Sequence, residues 1–567
     1  MFMMRSEKHR LIAWIGGAQN RFHSSVAIKS QSIPLHLPIL GGLVVTIAGG
    51  ITYLNDLFGG TEGLRRAGSF YALAIPKYAE YRYHQFCQSP QHVWDKLDET
   101  TAREALRKML ELKGFYIKTG QICAANIGNA FPKYWQHTLS VLQDQCPFKE
   151  FDVVREIVES EYGKKLEEVF SSFDATPIGS ASIGQVHRAT LLDGSRVVVK
   201  VMYPEVERLF RGDVRTIRLF AQLAQPVHVP AIEEIEKQFM NEFDYEREAQ
   251  QLSDVRENLI RADLEGRGKL CRVPKPYTEL ARKRVLVMEE LYGEKLQVAL
   301  KKDTERNAKR LGVSVEEMIA DIEEKEAAAR LNGEQFQGPT SQEYDSYIAA
   351  ANKQRIAENA WAMFYNVTIG LIPGVQAKEF KPRSTLPINH AKIVDDLILV
   401  HGHEICVDGK FNGDAHPGNI LLLGVEEGKP QLGLIDYGQV PVLPKQMRII
   451  FCKLVIALAD ENREDIVRLM KEAGYRSKYM NEDNIYLYAK VGYDEDNDSL
   501  TGGQHIQLFL EKLQSRDPIE SLPRPLLMVS RCSTMLRGLG HALHQSRSIA
   551  KAWKPIAEKV LRDEGEL

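Results

Sequence analysis

The chain contains the stretch Asn412-Gly-Asp-Ala-His-Pro-Gly-Asn419 and, after an apolar run, the stretch Ile435-Asp-Tyr-Gly438. Phosphoryl transfer needs a carboxylate beside the acceptor, an amide oxygen five residues later that helps to bind metal, and a second carboxylate that binds Mg²⁺ across the phosphates. Asp414, Asn419 and Asp436 have this order and spacing. Each stretch alone is equally typical of a Gly/Asp/Pro loop, but their combination predicts a phosphotransfer site.

The residues between the two stretches predict a hairpin. Two apolar segments, 420–423 and 432–435, flank a turn at 424–430 that contains glycine and proline. Antiparallel pairing of these segments would bring Asp436 back beside Asn419.

A lysine upstream of these loops is the second element that a kinase-like fold requires. Lys200 ends the β-branched run Val197-Val-Val-Lys200, which follows an Asp193-Gly194 turn. A lone strand lysine is more often a solvated edge residue, but its order relative to the catalytic loop predicts that it binds the α- and β-phosphates. Its carboxylate partner is expected in the helix-compatible segment 239–249.

Two features of ordinary protein kinases are absent from the sequence. No Gly-x-Gly-x-x-Gly precedes Lys200, and the small-residue turn 177–187 stands in its place with only Gly179 and Gly184. No Ala-Pro-Glu follows Asp436, and residues 439–474 contain no Ser, Thr or Tyr that an activation switch could use. Nucleotide binding is therefore expected to be altered, and conventional protein kinase activity is not expected.

From about residue 105 to 445 the chain resembles the UbiB/ADCK (aarF-domain-containing) atypical kinase-like family. Beside the loops above, the family signatures are Lys118-Thr-Gly-Gln121, Ala181-Ser-Ile-Gly-Gln-Val-His187 and Glu242-Phe-Asp244. The resemblance implies an α+β, bilobal protein-kinase-like fold with an N-terminal helical Lys-x-Gly-Gln extension, a C-lobe insertion and a helical C-terminal tail. The chain departs from the family at Asn412, where histidine is frequent, and at Gly179 and Ser180, where alanines are usual.

The resemblance also implies a role for each site residue. The catalytic residues are expected to be Asp414, Lys200 and Glu248, with Glu248 pairing with Lys200. Cofactor-binding residues are expected to be Gly179, Ser180, Ala181, Ser182, Lys200, Met288, Glu289 and Leu291. Metal is expected at Asn419 and Asp436. A regulatory lid is expected from Lys118, Gly120, Gln121, Glu242 and Asp244.

The expected cofactors are ATP and Mg²⁺, and the expected activity is that of an atypical kinase or ATPase acting on a small-molecule or lipid-related acceptor. The resemblance implies a role in coenzyme Q (prenylquinone) lipid metabolism at an organelle membrane. One alternative is a catalytically weak nucleotide-binding scaffold for a membrane lipid-biosynthesis complex. Another is an aminoglycoside- or choline-kinase-like enzyme, although such proteins lack the Lys-x-Gly-Gln motif.

Composition excludes several other classes. The chain has 567 residues, a formal net charge of −3 and a sequence pI near 6.6, so its charge gives no basis for nucleic-acid binding. Its seven cysteines are dispersed and contain no Cys-x-x-Cys pair, so neither a disulfide framework nor a zinc site is predicted.

The N-terminus predicts targeting and anchoring. Residues 1–35 are rich in basic residues and serine with Glu7 as the one acid, which is typical of an organelle-targeting segment. Residues 37–54 are uncharged and mostly apolar, which predicts a transmembrane helix within 36–55, with a buried core helix as the alternative. Its four glycines suit packing against a second such helix and hence a homodimer. By family resemblance we expect the mitochondrial inner membrane with a matrix-facing catalytic domain, or a plastid, and contacts with membrane lipids and quinone-biosynthesis proteins.

The remaining segments complete the predicted organisation. They are a helical Lys-x-Gly-Gln extension at 60–147, an N-lobe at 148–295, an insertion with C-lobe helices at 296–395, catalytic and metal-binding loops at 396–480 and a helical region at 481–567. Apolar periodicity predicts a helix over 101–130, and an Ala/Glu/Lys-rich composition predicts one over 316–330. The acidic run 494–498 predicts a surface loop.

Overall fold

The computed structural model describes residues 60–117, 119–120, 133–143, 148–180, 183–224, 232–233, 236, 240–332, 335–372, 374–415, 417–495, 498–501 and 506–566. The predicted targeting segment and transmembrane helix lie outside these residues, as do Lys118, Gln121, Ala181 and Ser182. Within the described ranges, no helix is both long and apolar enough to cross a membrane.

The described helices of eight or more residues are numbered here together with two shorter ones. They are Thr61–Phe86 (α1), Gln91–Leu112 (α2), Lys133–Leu139 (α3), Phe151–Tyr162 (α4), Val206–Ala224 (α5), Tyr245–Arg261 (α6), Leu296–Leu311 (α7), Val315–Leu331 (α8), Ser341–Val367 (α9), His390–His403 (α10), Lys445–Ala459 (α11), Arg463–Glu472 (α12), Glu482–Tyr493 (α13), Asp498–Thr501 (α14), Ile506–Arg516 (α15), Arg524–Ala542 (α16) and Ile549–Asp563 (α17).

The strands form three sheets. They are Phe170–Phe173 (β1), Gly179–Ser180 (β2), Gly184–Leu191 (β3), Arg196–Met202 (β4), Cys271–Arg272 (β5), Val285–Glu289 (β6), Gly293–Lys295 (β7), Ile420–Leu423 (β8), Gln431–Leu434 (β9), Arg476–Ser477 (β10) and Ile519–Ser521 (β11). The chain divides into two compact units, residues 1–147, 180–183 and 203–237, and residues 148–179, 184–202 and 238–567.

The first unit is helical where it is described. Ile117, Leu139 and Leu142 are buried together, and a side chain at Gly120 would collide with Leu142 and Met109. The glycine of the Lys-x-Gly-Gln motif therefore permits close packing within this unit. The predicted continuous helix over 101–130 is wrong, because α2 ends at Leu112 and Lys113 has φ of 57°, a left-handed conformation that ends a helix.

A buried ion pair stabilises the first unit. Arg66 on α1 and Asp213 on α5 lie 2.5 Å apart, and both are buried. Arg66 also donates to the C=O of Leu112, where α2 ends. Burial raises the pKa of Asp213 to about 6, and the adjacent guanidinium opposes that shift.

We expect Arg66→Met to lower the free energy of unfolding by about 3–5 kcal/mol, because it leaves Asp213 buried without its partner. Urea denaturation followed by circular dichroism measures the change. Arg65→Met is the control, since Arg65 is exposed and its described ion pair is with Glu62 in the adjacent turn. The double variant Arg66→Met/Asp213→Leu should recover much of the loss. Equal stability of Arg66→Met and wild type would show that the pair contributes nothing.

The second unit begins with an antiparallel sheet in the order β1-β3-β4-β6, and β2 pairs with β3. The Asp193-Gly194 turn between β3 and β4 is as predicted, with Gly194 at φ of 86°. Lys200 lies opposite Val186 on one neighbouring strand and Leu286 on the other. A Cβ at Gly184 would collide with the C=O of Val201, so this glycine permits the close approach of β3 to β4.

A second sheet has the order β5-β9-β8-β7. Ile420 pairs with Leu434 in an antiparallel β8–β9 hairpin, which confirms the predicted hairpin with a shift of one residue in the second strand. Helices follow it, and Trp553 on α17 is fully buried and donates from Nε1 to the C=O of Ile398 on α10 at 2.7 Å. Helices α10 and α17 therefore share a buried core.

The predicted acidic surface loop at 494–498 is wrong for its first residue. Asp494 is buried and pairs with Lys490 at 2.7 Å. It also accepts hydrogen bonds from Ser548 Oγ and from the backbone N–H of Ala550, at 2.5 and 3.1 Å, at the start of α17. Its carboxylate caps this helix, a role that the acidic run gave no sign of.

Candidate active site

The candidate active site is built around Lys200. Its ammonium donates to Glu248 Oε1 at 2.5 Å and to Asp436 Oδ2 at 3.2 Å. Lys200 and Glu248 are largely buried, whereas the Asp436 side chain is 34% exposed. The arrangement places the strand lysine between a helix carboxylate and the carboxylate that follows the hairpin.

Local structure explains how Glu248 reaches Lys200. The Asp244 side chain accepts a hydrogen bond from the backbone N–H of Arg247 at 3.0 Å and thereby caps the N-terminus of α6. Glu248 follows in the first turn of this helix. The ring of Tyr245 lies 6.0 Å from Lys200 Nζ, so the lysine has an aromatic face beside its two carboxylates.

The charges of the cluster shift its titration. Burial by itself would lower the pKa of Lys200, but the carboxylates of Asp436 and Glu248 outweigh it and raise that pKa above its ordinary value. Burial raises the pKa of Glu248 to about 7, since the Lys200 charge only partly offsets the loss of water. Lys200 therefore stays cationic at neutral pH, as a phosphate-binding lysine must.

Asn412 organises the catalytic loop. Its side-chain amide donates to the C=O of Asp436 at 2.9 Å and its Oδ1 accepts from the backbone N–H of Asp414 at 2.8 Å. Its own backbone N–H donates to Glu404 Oε2 at 3.1 Å. Glu404 is fully buried and also accepts from the hydroxyl of Tyr437 at 2.8 Å. One amide thus joins the two loops where the family frequently has histidine.

The candidate base and metal-binding residues lie at the open end of the hairpin. Asn419 immediately precedes β8, and its C=O accepts from the backbone N–H of Ile435 at 3.2 Å, so the residues before and after the hairpin are adjacent. Asp414 Oδ1 accepts from Arg531 Nη2 at 2.9 Å. His416 lies outside the described residues.

Comparisons with known proteins identify the family of this chain. A family model described as "ABC1 atypical kinase-like domain" matches residues 141–324 and 364–470, more than half of the chain. The chain belongs to the UbiB/ADCK (ABC1) atypical kinase-like family. It is a kinase-like domain with mixed helix and sheet content.

Individual relatives differ in how much they share. "AarF domain-containing protein kinase 1" of Xenopus laevis is 25% identical over 77% of this chain and 70% of its own length. "Probable protein kinase UbiB" of Pseudomonas paraeruginosa is 34% identical over 35% of this chain and 37% of its own length. A solved structure of Rv3197 with erythromycin from Mycobacterium tuberculosis aligns with 82% of this chain and with 97% of its own chain. The sequence identity is 19% and the TM-score is 0.43.

In the UbiB/ADCK nucleotide loop, Ala181 and Ser182 lie outside the described residues. Gly179 and Ser180 form β2, and a Cβ added at Gly179 would contact nothing within 4 Å. An alanine, which the family usually has, would therefore fit there.

Three of the expected cofactor-binding residues, Met288, Glu289 and Leu291, are called here the hinge residues, and two of them are engaged by contacts within the protein. Met288 and Glu289 belong to β6, and the backbone N–H of Glu289 donates to the C=O of Lys275 at 2.8 Å. The Glu289 carboxylate pairs with Arg272 at 2.7 Å. Among the three expected hinge residues, Leu291 is the one that follows the strand, which makes it the better candidate for a base contact.

Among the expected lid residues, the structure describes Gly120, Glu242 and Asp244. Glu242 Oε1 accepts from Gln439 Nε2 at 2.8 Å, which joins the Glu-x-Asp motif to the residue after Asp436-Tyr-Gly438. Asp244 caps α6, and Gly120 packs within the first unit, as described above. Lys118 and Gln121 lie outside the described residues, so the ion-paired lid stays a prediction.

The donor set fits Mg²⁺ that arrives with a nucleotide. Asn419 and Asp436 offer oxygen ligands, which Mg²⁺ prefers, and this ion commonly binds one or two protein oxygens together with substrate phosphates. Over the ranges that the structure describes, no group of three or more His, Cys, Asp or Glu side chains is placed to bind a metal. The phosphates would therefore supply the remaining ligands.

Sequence reasoning missed three residues of this site. Glu404 supports Asn412, Gln439 contacts Glu242, and Arg531 pairs with Asp414 across 117 residues of sequence. No motif signals Glu404 or Arg531, since each becomes informative only through a distant contact. Gln439 directly follows the Asp436-Tyr-Gly438 motif, and this position is the one sequence feature that could have indicated its place in the site.

Proposed function

We propose that this chain is an ATP-using atypical kinase or ATPase whose acceptor is a small molecule or a lipid-related compound, and not a conventional protein kinase. The observation that supports it most is the position of Lys200 between Glu248 and Asp436. In kinases the same pairing of strand lysine and helix carboxylate is required for a productive nucleotide site.

Each residue has a separate task in this proposal. Lys200 binds the α- and β-phosphates, and Glu248 holds its ammonium in place. Asn419 and Asp436 would bind Mg²⁺, which neutralises charge that develops on the phosphates. Asp414 orients the acceptor hydroxyl or water and accepts its proton.

The finer architecture also belongs to this proposal. We assign the β1-β3-β4-β6 sheet to an N-lobe and the β8–β9 hairpin with its following helices to a C-lobe, as in a bilobal kinase. The family model is interrupted at residues 325–363, within the insertion predicted at 296–395. Gating by Lys118, Gly120, Gln121, Glu242 and Asp244 is part of the same proposal.

The biological setting rests on family membership. We propose that the protein supports prenylquinone metabolism at a mitochondrial inner membrane, with a plastid as the alternative. Quinone-biosynthesis proteins, membrane lipids and a second copy bound through the helix at 36–55 are its proposed partners.

One observation favours a second candidate, the nucleotide-binding scaffold of low turnover. The acid that is expected to bind metal already has a cationic partner, because Asp436 pairs with Lys200. Turnover would then depend on a ligand that displaces this contact. The experiment below distinguishes the two candidates.

Nucleotide turnover by the purified full-length chain with Mg²⁺ tests the proposal. It should be measured with and without phenols that resemble quinone precursors, followed by mass spectrometry of the products. We expect ATP hydrolysis that rises with an acceptor, or a phosphorylated acceptor. Tight nucleotide binding without any turnover would favour the scaffold, and absence of nucleotide binding would contradict both candidates.

Arg531→Gln is expected to lower turnover by about 10- to 100-fold while nucleotide affinity stays unchanged. Arg531 contacts Asp414 and not the nucleotide lysine, and small displacements of a reacting group cost about this much. Arg547→Gln is the matched control, because Arg547 is as exposed as Arg531 and also forms an ion pair with an aspartate. Its partner is Asp395, at a distance of 3.1 Å, and this pair is not part of the candidate site. Unchanged turnover in Arg531→Gln would mean that Asp414 needs no positioning by this arginine.

A further inference from the structure

An exposed apolar surface lies at the end of α9. We call it the apolar tip and define it by Ile356, Trp361, Met363, Phe364, Val367, Leu371 and Ile372, whose side chains are 52–74% exposed. Soluble proteins seldom expose so many large apolar side chains together unless the surface binds something. Residues 325–363, which include much of α9 with Ile356, Trp361 and Met363, lie outside the match to the family model, whereas the other four tip residues lie inside it.

The tip is held in shape by the segment 374–383, which runs back along α9. Asn366 and Lys378 exchange two hydrogen bonds, of 2.9 and 2.7 Å, between the amide side chain and the backbone. Asn359 and Lys381 do the same at 2.9 and 2.7 Å. Ala362 is buried on this face of the helix. The helix end and the returning segment therefore form one pinned hairpin.

The apolar stripe lies on another face of the same helix. Ile356, Met363 and Val367 are spaced by seven and four residues, which aligns them along a helix. Phe364 lies beside them and stacks with Trp361 at a ring distance of 5.6 Å. The segment that pins the hairpin does not cover this stripe, since Met363 is 61% exposed and Val367 is 59% exposed.

The charge pattern distinguishes between the molecules that could cover the apolar tip. From Asn359 to Ala377 the sequence contains no Asp, Glu, Lys or Arg, whereas Lys378, Lys381 and Arg383 follow with Glu379 as the one acid. A helix that pairs with a second helix normally carries charged residues beside its apolar stripe. On α9 such residues occur only before Asn359, where Glu358 pairs with Lys381 at 2.5 Å, and the rest of the stripe has none. A bilayer with anionic headgroups matches both parts, an uncharged helix end and a rim that carries Lys378 and Arg383 beside the paired Lys381.

The rim has a further feature of membrane-interface proteins. The ammonium of Lys378 lies 5.6 Å from the ring centre of Trp361 and 4.8 Å from that of Tyr365. Aromatic rings with a polar edge and lysines with long apolar stems occupy the boundary between acyl chains and headgroups. We propose that the apolar tip inserts into the interface of an anionic lipid bilayer, a role that does not depend on the proposed phosphotransfer.

Fluorescence quenching by lipid tests this insertion locally. The full-length chain is mixed with vesicles of phosphatidylcholine and phosphatidylglycerol that carry brominated acyl chains. We expect the lipid to quench tryptophan fluorescence of the wild-type chain. Trp361→Phe should remove part of this quenching, and Trp94→Phe should leave it in place. The difference between wild type and Trp361→Phe therefore reports Trp361 even if another segment also anchors the chain. In Met363→Glu/Val367→Glu the Trp361 component should need at least about tenfold more lipid, given the apolar area withdrawn from the bilayer. Leu331→Glu is the control, because Leu331 on α8 is 88% exposed and outside the tip.

Two results would overturn the proposal. The first is equal quenching of wild type and Trp361→Phe, which would place the tip outside the bilayer. The second is self-association of the chain without lipid, measured by analytical ultracentrifugation, if Met363→Glu/Val367→Glu abolishes it. That result would show that a second copy of the chain covers the apolar tip.

Discussion

Asp414→Asn is expected to reduce nucleotide turnover by about 10²–10⁴-fold, the range typical of a lost general base, and to leave nucleotide affinity unchanged. The amide keeps the shape of the side chain but cannot accept a proton. The Asp414 carboxylate accepts from Arg531, the Asp414 backbone N–H donates to Asn412 Oδ1, and Asp414 has no described contact with Lys200. Steady-state turnover and equilibrium nucleotide binding, measured on the same preparations, separate the two effects.

Asp395→Asn is the matched control for this change, because Asp395 also pairs with an arginine through an ion pair of similar length. Turnover of Asp414→Asn equal to that of the control would remove Asp414 from the catalytic assignment. A parallel loss of nucleotide affinity would instead show that Asp414 helps to bind the nucleotide.

Asp436→Asn is expected to weaken binding of the Mg²⁺–nucleotide complex by at least about tenfold, the scale of one lost contact to a charged group. The carboxylate is the one candidate metal ligand that carries a full negative charge, and it also contacts Lys200 at 3.2 Å. Titration of nucleotide at several Mg²⁺ concentrations should show the largest deficit at low metal. Affinity that is unchanged at every Mg²⁺ concentration would exclude Asp436 as a metal ligand.

Local sequence patterns predicted the elements that local interactions form. The β8–β9 hairpin and the strand that carries Lys200 follow from short β-branched or apolar runs bounded by turn residues. The helix predicted at 316–330 is present as α8 over Val315–Leu331. These elements need no distant contact to be recognised.

Sequence patterns failed to predict features that depend on a single backbone conformation or on a distant contact. The apolar periodicity continues past Lys113, yet the left-handed conformation at that residue ends α2. Asp494 is part of an acidic run typical of a surface loop, but its carboxylate caps a helix that starts more than fifty residues later. Periodicity and composition contain no information about such contacts.

The residues of the candidate site also fall into those that the sequence predicted and those that it did not. The motifs identified the residues that would touch nucleotide or metal, because phosphate chemistry restricts their types and spacing. The supporting residues are less restricted, so Asn412 does through an amide what the family frequently does through histidine. Arg531 comes from a helix outside the matched family region and has no motif of its own.

Binding of ATP to the purified full-length chain, measured by calorimetry with Mg²⁺ and again with a chelator, is the decisive test of the proposed nucleotide site. In this proposal Lys200, Glu248 and Asp436 form the site and metal completes it. We expect saturable binding with Mg²⁺ that weakens when the metal is removed and is lost in Lys200→Met/Asp436→Asn. Failure of the wild-type chain to bind ATP in either condition, or undiminished binding by the double variant, would contradict it.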